Sequence, residues 1–189
     1  KTVSTDKDYY RANAIISGAD YHFTETRLLP EECRSYSEKF WAKKVMAPSC
    51  LLYYVGLNKK LKQAVHHSLF FDVPFDQHGR EIYGNPQWPT EPLFYVSVSS
   101  MTESGMAPPG CEGIVFLVPV ASGLEGDTEE LREKYFRIIA QRMEKLTGES
   151  ILDSVIYMKS YSVSNFVEDY NSFRGNAYGL PNTLMQTAI

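Results

Sequence analysis

Residues 94–120, FYVSVSSMTESGMAPPGCEGIVFLVPV, hold two apolar stretches on either side of a polar one that carries the turn formers. Residues 94–99 (FYVSVS) alternate apolar and small polar side chains, the period of a strand with one buried face and one less buried face. Residues 113–120 (GIVFLVPV) read as its neighbour. Between them, residues 100–111 include Gly105, Pro108, Pro109 and Gly110, which is too long for a tight turn and predicts an extended surface loop. With no helix between the two strands, an antiparallel pair is the simplest topology.

Working outward, residues 51–57 (LLYYVGL) are rich in aromatic and branched side chains and predict a buried strand closed by the polar turn Asn58, Lys59 and Lys60. Residues 66–71 form a second candidate strand. Residues 72–92 contain Pro74, Gly79, Gly84, Pro86, Pro89 and Pro92, a density of breakers that predicts an irregular connection. Nearer the start, residues 12–17 are a short apolar run closed by Gly18 and Asp20, read as a strand that would be an edge unless something pairs with it. Ser35 and Glu38 have the spacing of a capping box ahead of Phe40 and Trp41, which predicts a short helix over 36–44 limited by Pro48.

Downstream, a helix starts at Asp127 or Thr128 and ends before Gly148, with Leu131, Tyr135, Ile138, Ile139, Met143 and Leu146 as its apolar positions. Residues 154–160 (SVIYMKS) predict a further strand. A capped short helix over 164–170, with Glu168 in its first turns, then leads to the glycine-punctuated run 175–180. Strands clustered centrally and flanked by helices argue for an α+β fold with a mixed, largely antiparallel sheet.

The 189 residues suit one domain, and 43% hydrophobic with 22% charged residues is a globular composition. A formal charge of -4 leaves no basic footprint for a phosphate backbone, so nucleic acid is not an expected partner. Cys33, Cys50 and Cys111 lack a CxxC pair, so neither a disulfide framework nor a structural zinc site is expected and a reducing cytoplasm fits. No apolar run reaches about 18 residues, the length of a spanning helix. The chain opens on Lys1 and a polar run, without the charged leader and apolar stretch of a secretory signal, and is expected to have lost sequence upstream.

Few residues have the pattern of reaction chemistry. His66 and His67, adjacent in a strand, are expected on opposite faces and unable to chelate one ion, and His22 and His78 join no motif. There is no GxSxG elbow and no Cys-His signature. Glu129, Glu130, Glu133 and Glu144 alternate with Arg132, Lys134, Arg137 and Lys145 as on a solvated helix surface. Aromatic residues make up 13% of the chain, including Tyr53, Tyr54, Phe70, Phe71, Phe94 and Tyr95. They suit either an ordinary core or the wall of an apolar tunnel. Phe40, Trp41, Met46 and Leu51 beside Lys39, Lys43 and Lys44 suit either a helix packed on its sheet or a foot at a membrane surface.

Read as phrases, the chain resembles bacterial phytoene desaturases, the carotenoid desaturases of the FAD-containing amine oxidoreductase superfamily. The resemblance is carried, in family order, by IISGADYHFTETRLLPEECRSYSEKFW from Ile15, MAPSCLLYYVGLNKKL from Met46, NPQWPTEPLFYVSVSSMTESGMAPPGCEGIVFLVPVASGLE from Asn85 and FVEDYNSFRGNAYGLPNTLMQTA from Phe166. The family's first segment usually ends in Asn-Ala-Asp, where this chain has Gly18, Ala19 and Asp20. None of the twelve glycines is spaced as the GxGxxG turn that holds a dinucleotide pyrophosphate. The resemblance therefore implies a single substrate-binding domain over residues 1–189 of a two-domain flavoprotein, with both FAD-binding ends outside it.

Other expectations follow from the same resemblance. The parent protein would use FAD to dehydrogenate a polyene such as phytoene, and the fragment itself is expected to be inactive and to bind no FAD. Gly179 and Gln186 would approach the cofactor and Asn176 and Tyr178 the substrate, unless the glycines of this segment only shape a turn after a helix. The partners implied are the FAD domain of the same chain and the hydrophobic substrate, with peripheral association at the inner membrane face. Lacking the flavin domain, the fragment is expected to self-associate. Two other readings stay open: a non-enzymatic isoprenoid- or lipid-binding module, and a relative acting on other isoprenoids or retinoids.

Overall fold

The computed structural model describes residues 1–187. The polar start of the chain is a small hairpin, β1 (Thr2–Ser4) and β2 (Tyr9–Arg11), paired antiparallel and exposed throughout. Its turn is held by Thr5, whose hydroxyl accepts from the Asp8 N–H at 3.0 Å. Residues 12–17 form no strand, contrary to the sequence reading. No described strand pairs with them, and Ile16 is 96% exposed. An apolar run becomes a strand only where an edge receives its main-chain hydrogen bonds.

Asp20 caps the single turn α1 (Tyr21–Phe23) by accepting from the Phe23 N–H, and a wider π turn follows over Thr24–Leu28. Helix α2 (Glu38–Ala42) begins two residues later than the Ser35 spacing predicts. Ser37 is its cap, accepting from the Phe40 N–H, while the Ser35 N–H donates to the buried Glu25 carboxylate at 2.8 Å. Trp41 of α2 is fully buried, with Tyr21, Tyr36 and Phe40 set edge-on around its ring.

The sheet follows. Strands β3 (Ser49–Leu57), β4 (His67–Phe70), β5 (Phe94–Ser97), β6 (Glu112–Val120) and β7 (Val155–Tyr161) lie in the order β4-β5-β6-β3-β7, with every neighbouring pair antiparallel. The β5–β6 pair read from the sequence is present, and residues 100–111 are a loop of two short 3-10 turns. Ser100 is buried at the loop's base. Its hydroxyl donates to Glu112, which also receives Lys60 Nζ at 3.2 Å.

Residues 72–92 are more ordered than their breakers predict, because they contain helix α3 (Phe75–Tyr83). Pro74 stands just before its first turn, where a missing N–H costs nothing. Two buried side chains then anchor the helix. Glu81 accepts from the Thr90 N–H (3.1 Å) and hydroxyl (2.7 Å), and His78 Nδ1 accepts from the Leu93 N–H at 3.0 Å. With Nδ1 accepting, Nε2 carries the ring proton and donates to the Pro119 carbonyl at 2.8 Å.

Helix α4 (Glu129–Thr147) packs on one face of the sheet through Tyr135, Phe136, Ile139, Ala140 and Met143. Thr128 caps its start and Gly148, at φ 72°, ends it. The predicted apolar stripe holds except at Leu146, which is exposed, while Phe136 and Ala140 take buried places. Arg132 and Glu144 also leave the solvated surface assigned to them. Arg132 is buried against Asp127, with Nε to Oδ1 at 2.7 Å, and its Nη2 donates to Ser164 at 2.9 Å. Glu144 accepts from the Ile151 and Leu152 N–H groups. Tyr53 of β3 donates to the Arg132 carbonyl at 2.5 Å, tying sheet to helix at the centre of the core.

After β7 the chain turns directly into α5 (Val163–Tyr170). Its cap is Ser162 rather than a residue at 164, and Asn165 Oδ1 accepts from the Ser162 N–H. The turn Phe173–Gly175 and the last helix, α6 (Leu184–Thr187), complete the described chain.

Two outcomes are expected. Gly175 has φ 61°, and a Cβ there would lie 2.4 Å from the Val163 carbonyl oxygen. Gly175→Ala should destabilise the chain by about 2–4 kcal/mol in urea unfolding. Gly18→Ala, with nothing within 4 Å, should change it by less than about 0.5 kcal/mol. The second concerns His78, whose ring is pulled below its ordinary value of 6.5 by burial, only partly offset by its bond to Pro119. The unfolded chain then binds more protons below pH 6.5, so this contribution to stability is whole above that pH and is lost as the pH falls toward the folded value. Unfolding midpoints at pH 7 and pH 5.5, on the two sides of that ordinary value, should fall further in the native chain than in His78→Gln; equal falls would remove His78 from the account.

Candidate functional site

Directly opposed residues of an antiparallel pair share a face, so the registers sort the sheet's side chains into rows. On one face, Ser68, Val96, Phe116, Tyr53 and Ser160 form such a row, and its neighbours include Phe70, Phe94, Val118 and Leu51. This is the face that α4 covers. Tyr53, Val96, Phe116, Val118 and Leu51 are essentially without solvent contact.

The opposite face is open. One row crosses all five strands as Leu69, Tyr95, Leu117, Leu52 and Tyr161, and the next as His67, Ser97, Val115, Tyr54 and Lys159. Beyond them lie Gly113, Gly56 and Tyr157 at one end, and Pro119 with Cys50 at the other. Leu52, Val115, Leu117 and Pro119 are half-buried, and Leu69, Tyr54 and Tyr157 are exposed. From Gly113 to Pro119 this surface runs about 20 Å along β6, at roughly 3.3 Å per residue.

Each end of the open face leads into a cavity. Beside α3 a cavity of ≈ 360 Å³ is lined by Phe71, Phe75, Ile82, Tyr83 and Tyr95. At the other end a cavity of ≈ 400 Å³ lies over the paired glycines, bounded by Met106, Pro108 and Tyr157. A side chain on Gly113 would meet the Met106 carbonyl at 3.2 Å, so the bare backbone is what leaves this end hollow. The β7 border carries Tyr161, whose hydroxyl donates to Asp169, with Phe166 edge-on against its ring. Such a surface can hold an elongated apolar molecule and exclude water from it. It offers few groups for moving protons.

The site residues named from the resemblance lie around the start of β3. Asn176 is buried, and its carboxamide is already engaged: Nδ2 donates to Asp20 Oδ2 (3.3 Å) and the Phe173 carbonyl (2.8 Å), and Oδ1 accepts from the Gly179 N–H. Gly179 has φ 80°, and its carbonyl accepts from the Ala47 N–H at 2.9 Å. Asn176 and Gly179 thus share one turn, which with residues 18–21 borders a cleft of ≈ 460 Å³. Tyr178 projects from that turn, 67% exposed; partial burial, then the nearby Cys50, raises its phenol above the ordinary value. Gln186 stands apart. Its carboxamide accepts from the Val45 N–H (3.0 Å) and donates to the Val45 carbonyl (3.1 Å), which fastens α6 beside α2.

The rows of the open face were not named from the sequence, because they exist only once the register is known. His66 and His67 also differ from expectation. Strand β4 begins at His67, so His66 is free to turn, and the two rings stack at 4.0 Å instead of pointing to opposite faces. His67 Nδ1 is 2.5 Å from the Tyr95 hydroxyl, and His66 Nδ1 is 2.8 Å from the Thr102 hydroxyl. Among the described residues, no group of three or more His, Cys, Asp or Glu side chains is placed to hold a metal ion. Nor is any described helix long and apolar enough to cross a membrane. Trp41, which suited either a packed helix or a membrane foot, belongs to the packed interior.

Among the described residues, the glycine-bearing connection from β6 to α4 does not fit a flavin pyrophosphate. All their strand pairings are antiparallel, and the glycine-bearing connection from β6 to α4, residues 121–128, opens its helix on Asp127, Glu129 and Glu130. The exposed Glu129 and Glu130 carboxylates would repel a phosphate where a dinucleotide site needs bare N–H groups.

No family model matches the chain. Among curated proteins, it is 36% identical over 182 residues to a carotenoid 3,4-desaturase of Haloarcula japonica, an alignment covering 96% of this chain and 37% of that protein. It is 29% identical to a 4,4'-diapolycopen-4-al dehydrogenase of Metabacillus indicus (95% of this chain, 35% of that protein). It is 26% identical to a phytoene desaturase of Phycomyces blakesleeanus (93% and 31%). The chain spans about a third of the length of these relatives.

Proposed function

Because the chain belongs to the carotenoid desaturase family, we propose that its open sheet face is the wall against which a long polyisoprenoid lies while it is dehydrogenated to a conjugated carotenoid. The observation that carries this reading is the pair of side-chain rows on that face. Leu117, Leu52 and Val115 form an apolar floor at the centre, and Tyr95, Tyr54 and Tyr161 supply aromatic surface around it. A polyene has little to hydrogen-bond, so it is held by apolar area and by shape. The cavities at the two ends extend the floor along the direction a linear molecule would take.

In this reading the chain binds, orients and dehydrates, and the redox step belongs to FAD held by another domain of the parent protein. That division accounts for the scarcity of acid-base groups on the face. Asn176 and Gly179 act through the turn they build, setting the border of the wall where the flavin domain would meet it. Tyr178, exposed on that turn beside Cys50, is the residue of this segment free to touch substrate.

The test uses the parent protein with its flavin-binding domain. Leu117→Glu places a carboxylate in the middle of the floor and should lower conversion of phytoene to longer polyenes about 100-fold or more. The oxidised flavin spectrum should be unchanged, and Lys134→Glu, on the exposed side of α4, should leave both as they were. Full conversion by Leu117→Glu would exclude the open face as the wall. A parent protein with neither flavin nor product would replace the desaturase reading by that of an isoprenoid-binding module.

A further inference from the structure

The sheet has two outer edges, and they are built differently. The β4 edge is four residues long, whereas β7 offers seven and contains no proline. An edge that stays unpaired is normally blunted by charge, proline or a short span, because its free N–H and C=O groups recruit other strands. On β7 the one charge is Lys159, and the register shift against Gly56 and Leu57 lies at the beginning of the strand. We propose that β7 is an internal strand of the parent protein, its outer edge paired with an extended segment of the parent chain outside residues 1–189. This inference does not depend on what the open face binds.

Beyond the ladder with β3, no main-chain group of residues 156–160 has a hydrogen-bond partner among the described residues. Apolar side chains stand on both faces of the strand: Met158, opposite Val55, on the side of α4, and Tyr157, opposite Gly56, on the open side. A strand with one wet face alternates, whereas the unbroken apolar run 155–158 (VIYM) is the pattern of a strand covered on both faces. Here that run is left in solvent, with Ile156 62%, Tyr157 57% and Met158 39% exposed. Lys159, opposite Tyr54, forms no ion pair with any described residue.

The size of the edge selects the occupant. Seven residues fall well short of the roughly 20–30 per side of a specific interface between free partners. They suffice for a segment of the same chain, which a tether holds at an effective concentration on the order of millimolar. The relatives have ample chain to supply it, since the aligned region is about a third of their length. Such a strand carries apolar residues opposite Tyr157 and Met158 and an acidic or uncharged one beside Lys159, where a like charge would oppose pairing. It closes the β7 border of the sheet and carries the open face past Tyr157 by one strand spacing, about 4.8 Å.

Amide hydrogen exchange of the parent protein, resolved residue by residue over 156–160, tests this without any substitution. In an edge strand every second amide points to solvent and exchanges at least about 100-fold faster than its neighbours bonded to β3. In an internal strand both sets are protected to a similar degree, which is the expected result. Fast and slow amides alternating along β7 would overturn the inference. A photo-crosslinker in place of the exposed Lys159, as Lys159→p-benzoylphenylalanine, then identifies the neighbour. The expected product is a crosslink within one parent chain, joining β7 to a peptide outside residues 1–189. A crosslink to residues 1–189 of a second copy would replace the intrachain strand by a dimer and overturn the proposal, as would the absence of any crosslinked peptide.

Discussion

The nine-residue register between β3 and β6, running without a break from Ser49 opposite Val120 to Leu57 opposite Glu112, is the constraint on which the rest of the structure depends. Side chains alternate along a strand, so this register alone decides that Leu51, Tyr53 and Val55 meet Ile114, Phe116 and Val118 on one face. A slip of β3 by one residue would send Leu51, Tyr53 and Val55 to the other side and bring Leu52 and Tyr54 beneath α4. Each large apolar side chain that is fully buried contributes about 1.5–3 kcal/mol, so the row centred on Tyr53 and Phe116 far outweighs the alternative. The Tyr53 hydroxyl adds direction, since its bond to the Arg132 carbonyl can form only when this face is inward.

Charge reinforces the same choice. Arg132 sits in the interior with Asp127, and the Asp127 carboxylate also accepts from the Ser164 N–H at the start of α5. Burial alone would raise the Asp127 carboxyl; the Arg132 guanidinium and the Ser164 N–H overcome it and hold the group below its ordinary value. A buried ion pair adds little net stability over apolar packing, but breaking one is costly, so the pair favours one placement of α4 against β7 and α5. The side of the sheet that receives α4 thus has both its packing and its charges satisfied. Among the described residues, nothing comparable covers the central rows of the other side.

Much of the fold was legible because its signals are local. Alternation over 94–99 and 113–120 marks β5 and β6, and Thr128 with Gly148 brackets α4. The misreadings occur where a distant partner decides. Residues 72–92 read as irregular because Pro74 and Gly79 are breakers in isolation, yet α3 forms because Glu81 and His78 anchor it to Thr90, Leu93 and Pro119. Residues 12–17 have the composition of a strand and no described strand to pair with. For the site, the family resemblance led to Asn176, Tyr178, Gly179 and Gln186, whereas the rows through Leu117 and Val115 draw one residue from each of five strands. No spacing in a single sequence carries that information.

The open face also explains why so many apolar side chains can be left in solvent without contradiction. Scattered exposed leucines and tyrosines are ordinary on any protein, but residues that share a face across adjacent strands make a continuous surface. Leu69, Tyr54, Tyr157 and the half-buried Leu52, Val115 and Leu117 belong to one such surface, flanked by α3 on one side and by Tyr161 and Phe166 on the other. The borders are built from segments far apart in the chain, as where Asp20 meets Asn176 across 156 residues. Ordered borders around an uncovered apolar floor are what a binding surface needs before its ligand arrives, because side chains already held in place lose little entropy on contact. In the proposed reading, the same hydrophobic effect that seats α4 on one side of the sheet supplies the affinity on the other.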